Sequence, residues 1–161
     1  MSATNESGNG EGELIPAPVH WIAPRPSQPP PAPRTRAMRS VASVAQVVFA
    51  TEAGPPPESR VHWLCVEVDD FLQHAGARSR LIFRGALFVV TWVSPLLALR
   101  PPPLGLWSLP VRTRALERLE RTPLALALLA IKAMLSIPYY EHPDAAAEIG
   151  FDGRCLEEEG Q

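Results

Sequence analysis

From residue 41 onward the apolar positions recur at helical spacing. Val41, Val44, Val47 and Val48 fall on one face, the pattern of a helix that lays one side on a core. Ser40 stands where an N-cap would, and Gly54 with Pro55, Pro56 and Pro57 marks the stop. A second helix opens near Glu58. Val61, Leu64, Cys65, Val68 and Leu72 make its apolar face, Glu67, Asp70 and Gln73 its polar one, and Gly76 closes it. A third runs from about Arg78 to Leu99, with Arg78, Arg80 and Arg84 in its first turns and no charge at all over residues 85–99; Pro95 predicts a kink there. Arg100 and Pro101, Pro102 and Pro103 end it, and residues 104–109 read as loop. Ser108 and Pro110 open a fourth helix, with Leu109, Leu116 and Leu119 on one side of an Arg/Glu ladder. Thr122 and Pro123 open a fifth, LALALLAIKAML, which is expected to end near Ile137 and Pro138. A short sixth fits PDAAAEI, with Pro143 and Asp144 at its start and Gly150 at its end. No segment alternates as a strand would, and nothing repeats. The fold class expected is all-α, a small bundle of five to six helices.

Two of these helices are apolar nearly all round, and such a helix must be covered by something. The uncharged part of the third spans about 22 Å at 1.5 Å per residue, short of a hydrocarbon core of about 30 Å. The fifth is long enough to span only with Lys132 near its middle, which costs about 2.5–3.5 kcal/mol on insertion scales. A buried hairpin is the favoured reading. A membrane contact through residues 85–99 and 123–140 is the other, and a partner protein is a third form of cover.

Composition adds the ends. Eleven of nineteen prolines precede residue 58. Residues 1–37, polar and then Pro-rich, hold too little apolar surface to offset their ordering entropy, and read as a disordered tail. The helical domain is placed at 38–155, and residues 156–161 as an acidic, frayed end. No signal peptide is recognised, since MSATNESGNGEGE has neither a positive start nor an apolar run. The expected location is cytoplasmic or membrane-associated. The formal net charge is −2, without the basic excess of a nucleic-acid binder. Cys65 and Cys155 fit no metal spacing and read as free thiols.

The chemistry-bearing residues are sparse. GNGEG at 8–12 lacks the strand and helix that would make it a dinucleotide loop. Glu67, Asp69 and Asp70 could pair as acid and base, but on an amphipathic helix they more often form a solvated face. His62, His74 and His142 are too scattered to hold a metal. No catalytic, cofactor-binding or metal-binding residue is assigned.

Three segments occur in order: VDDFLQHAGARSRLIFR, RTRALERLERTPLALALLAIKAML and YYEHPDAAAEIGFDG. Together they resemble the small helical subunit or domain that accompanies glucose–methanol–choline (GMC) flavin oxidoreductases. The likeness to gluconate dehydrogenase small subunits, and to the helical N-terminal region of long-chain alcohol oxidases, is more distant. It rests on Val68, Asp70, Phe71 and Leu72, on the run from Arg114 to Glu120, and on the stretch from Tyr139 to Gly153. The resemblance implies a non-catalytic accessory chain that stabilises or docks a large flavin subunit. No cofactor is expected in this chain, with FAD on the partner, and no nucleic acid. Tyr139, Tyr140, His142, Pro143, Ile149, Gly150, Phe151, Asp152 and Gly153 are the partner-binding candidates, with an internal cap as the competing role for the same stretch. A stand-alone membrane-associated helical protein is the alternative function.

Overall fold

A computed structural model describes residues 30–151 of the chain. The expected tail up to residue 29, Cys155, Asp152, Gly153 and the acidic end lie outside the described residues. The protein is all-α. Six helices follow one another: α1 (Arg36–Val48), α2 (Glu58–His74), α3 (Ala77–Leu97), α4 (Leu109–Glu120), α5 (Ala125–Glu141) and α6 (Pro143–Glu148). Among the described residues no strand forms; Thr51 and Gly54 make an isolated bridge in the turn after α1.

α1 begins earlier than Ser40. Thr35 is the N-cap, and its hydroxyl accepts from the Met38 backbone N–H at 3.2 Å. Met38 then extends the apolar stripe one turn back from Val41, and both are buried. α2 keeps its expected bounds and buries Val61, Trp63, Leu64, Cys65 and Val68. The Cys65 thiol donates to the Met38 carbonyl at 3.5 Å, and burial pushes its pKa up to about 12.

α3 meets Pro95 with a change of winding rather than a break. Residues Val89–Val93 form a π-turn, and the Ser94 N–H reaches back five residues to Val89. In that register the next donor for the Val90 carbonyl is the nitrogen of Pro95, which carries no hydrogen. The Ser94 hydroxyl donates to Val90 instead, at 2.5 Å. Ser94 is fully buried, so its hydroxyl satisfies a carbonyl that water does not reach.

α5 runs through Pro138 to Glu141, one turn beyond its expected end. Leu128, Ile131, Leu135 and Tyr139 line its buried side, which carries the helix past the missing donor. Lys132 is paired with Glu120 of α4. The expected loop after α3 contains a 3-10 turn, Leu104–Leu106, whose Leu104 is fully buried. A side chain at Gly105 would meet the Ser43 Cβ at 3.3 Å, so this glycine lets the turn sit close against α1. Arg112 of α4 fastens the same corner by donating to the Ser43 carbonyl at 2.9 Å and to Gln46 Oε1 at 2.8 Å.

α3 and α6 end in the same hydrogen-bonded motif with different residues at the left-handed position. After α6, Gly150 (φ +73) donates to Ala147 and Phe151 to Ala146, each at 3.0 Å. After α3, Leu99 (φ +58) donates to Leu96 and Arg100 to Pro95, each at 2.9 Å. Leucine there is strained and glycine is not. Leu99→Gly is therefore expected to raise stability by about 1 kcal/mol, and Gly150→Ala to lower it by about the same. Urea titration of the two variants measures both; shifts of one sign would refute the shared geometry.

By length and composition α3 could cross a membrane, yet a third of its apolar window is buried within the protein. α4 and α5 pass the same test only as one segment, bent by 120°.

Candidate docking site

The stretch from Tyr139 to Phe151 divides into residues that face inward and residues that face out. Tyr139 is 4% exposed and stacks flat on Phe49, just after α1, with ring centroids 3.7 Å apart. His142 is buried edge-on against Trp63, and its Nδ1 accepts from the Asp144 N–H to cap α6. Pro143 holds the first position of α6, and Ala145 and Ala146 are fully buried. Tyr140, Ile149 and Phe151 are exposed. Gly150 supplies the positive φ that ends α6.

A clasp holds this segment to α2. Arg60 is buried, and its Nη1 donates to the Tyr139 hydroxyl at 3.0 Å and to Glu148 Oε2 at 2.8 Å. Its Nη2 donates to Glu148 Oε1 at 2.8 Å, completing a bidentate pair. The guanidinium also lies 5.6 Å from the Tyr139 ring centroid. Hydrogen bonding to Glu148 raises the Arg60 pKa above its ordinary value, and the same bond holds the Glu148 carboxyl below the usual carboxylate range. Arg60 was not among the expected site residues. Its signal was its phase: Arg60, Leu64 and Val68 sit at i, i+4 and i+8, which puts the charge on the apolar face.

Beside this cap a groove of about 420 Å³ opens between α2 and α5. Val68, Phe71, Met134, Ile137 and Pro138 form its apolar walls, and Glu67, Asp70, Glu141 and His74 its polar ones. Glu67 was expected on a solvated face. It is instead half-buried, and burial, reinforced by Glu141 and Asp70, raises its carboxyl pKa. The groove thus gathers negative charge next to apolar surface. His74 stands at the rim, its Nδ1 3.6 Å from the Asp70 carboxylate and 2.9 Å from the Asp70 backbone carbonyl.

Among the described residues no group of three or more His, Cys, Asp or Glu could hold a metal ion. Comparison with protein-family models, with curated proteins and with solved structures finds no match to the chain.

Proposed function

We propose that the chain is a non-catalytic accessory subunit of a GMC-type FAD-dependent oxidoreductase, and that the large flavin subunit docks in the groove between α2 and α5. One observation carries this reading. All three segments that resemble the family's small subunit, distant in sequence, meet at this groove: Val68, Asp70 and Phe71 from the first, Met134 from the second and Glu141 from the third. Phe71, 54% exposed on the apolar face of a helix, is the side chain a partner would cover. The groove's chemistry specifies the docking segment as an apolar side chain flanked by Lys or Arg, which would relieve the charge gathered at Glu67, Asp70 and Glu141.

Affinity capture of the full chain from its own cells is expected to recover a flavin-bearing polypeptide in stoichiometric amount. Phe71→Glu, exposed and therefore tolerated by the fold, should lower that recovery by at least about thirtyfold, the scale of an anchor residue. The melting temperature should stay within about a degree or two. Capture of no flavoprotein, or full recovery with Phe71→Glu, defeats the reading. A tightly held flavin on the chain alone defeats it too.

A further inference from the structure

α3 and α5 pack against each other, and each turns a second apolar side outward. On α3 the core side is Phe83, Leu87, Val90 and Ser94. At 100° per residue, Leu81, Gly85, Phe88 and Trp92 lie on the opposite side. Leu81, Ile82, Phe88 and Leu96 of α3 and Leu126 and Leu129 of α5 are all more than half exposed, with Leu81 at 72% and Leu126 at 73%. Isolated exposed leucines need no explanation, but six large apolar side chains on two helices that pack together do.

Arginine predominates along α3 and its flanks, while Glu120 beside α5 is paired with Lys132. Residues 71–116 contain no Asp or Glu and six arginines. Arg36 lies over the Trp92 ring, 5.1 Å from its centroid, and Arg100 over Trp107 at 5.1 Å. Arg80 and Arg84 line the cleft between α3 and α1, where Asp69 is the acidic neighbour. Leu99 adds an independent observation. It occupies the strained left-handed position and is 88% exposed, so the fold gains nothing from a leucine there.

We propose that this face lies on an anionic lipid bilayer, with α3 and α5 in the plane of the headgroups, their leucines in the acyl boundary and the arginines on lipid phosphates. Charge complementarity selects this occupant, and the rings under Arg36 and Arg100 are the aromatic type that populates such interfaces. Lying flat follows from the inner side of α3. Phe83, Leu87 and Val90 belong to the core, so a spanning α3 would have to leave the domain. Phe71 and the acidic side chains of the groove take no part in this lipid contact, although Ile137, which lines the groove, stands in line with Leu126 on the outward side of α5.

The test is flotation of the full chain with phosphatidylcholine vesicles, with and without about 30% phosphatidylglycerol. The chain should float with the anionic vesicles and far less with the neutral ones. Arg84→Gln should lower the partition roughly fivefold. The double variant Phe88→Glu, Leu126→Glu should abolish it, while circular dichroism and melting remain those of the parent. Leu99→Gly is the sharper variant, because it should stabilise the fold and yet weaken partition about tenfold. Failure to float with anionic vesicles overturns the proposal, as does flotation indifferent to these substitutions. It is equally overturned if light scattering shows a dimer that the double variant turns into monomer, which would make a second copy the occupant. Loss of a bound protein partner from the double variant, without vesicle binding by the parent, would assign the face to that partner.

Discussion

Leu104→Ala is expected to destabilise the domain by about 2–5 kcal/mol, although the residue sits in a connection rather than a long helix. The 3-10 turn carrying Leu104 packs on α1, on the π-turn of α3 and on α4, and the leucine is fully buried where they converge. Truncating the side chain there loses its transfer free energy and leaves a cavity. Rigid walls limit its collapse, since Gly105 already holds the turn close against Ser43. Leu106, two residues on and 72% exposed, is the control, and Leu106→Ala should change stability by less than about 0.5 kcal/mol. Urea unfolding of both variants gives the comparison. Equal effects would mean that the turn is not part of the core.

The second large effect is expected at Tyr139. Tyr139→Ala removes the ring stacked on Phe49 and the hydroxyl bonded to Arg60. A loss of about 3–5 kcal/mol is expected, the range for deleting a buried aromatic. Tyr139→Phe keeps the ring and should cost about 1 kcal/mol, the worth of one hydrogen bond. Tyr140, adjacent in sequence and 39% exposed, should tolerate alanine with a loss below about 1.5 kcal/mol. Thermal and urea unfolding of the three variants decide the matter. A Tyr140→Ala loss as large as that of Tyr139→Ala would show that the division of this stretch into an inner and an outer side is wrong.

The helices were legible wherever one face was apolar and the other polar. The period of α2 and its Gly76 stop located the helix within a residue or two, and Gly150 marked the end of α6 correctly. Prolines were an uneven guide. Pro138 suggested an end, but burial of Leu135 and Tyr139 outweighs one lost donor. Pro95 marked the irregular place in α3, where the winding loosens into a π-turn and the hydroxyl of Ser94, its immediate neighbour, supplies the missing donor. α5 hid its orientation because it is apolar on nearly every side. No sequence period separates core positions such as Ile131 and Leu135 from the outward Leu126 and Leu129. The roles of Tyr139 and Tyr140 were undecidable for a related reason: successive residues on a helix point 100° apart, and identical side chains say nothing about which is inside. The clasp was half visible. Arg60 betrays itself by its phase, whereas Glu148 looks like any solvated carboxylate until α6 folds back on α2.

That clasp also bears on how the chain folds. Arg60 and Glu148 are 88 residues apart, so bringing them together by themselves closes a loop of most of the domain, whereas the α2–α3 and α4–α5 turns join near neighbours. Contacts of such separation are expected to close late, after the local hairpins have shortened the effective loop. A contact absent from the folding barrier acts on escape from the native state. Tyr139→Ala should then speed unfolding while leaving refolding nearly unchanged, and a matching slowdown in refolding would place the clasp in the nucleus instead. Arg60, Tyr139 and Glu148 are in this sense a latch: they set how long the domain stays folded more than how fast it gets there.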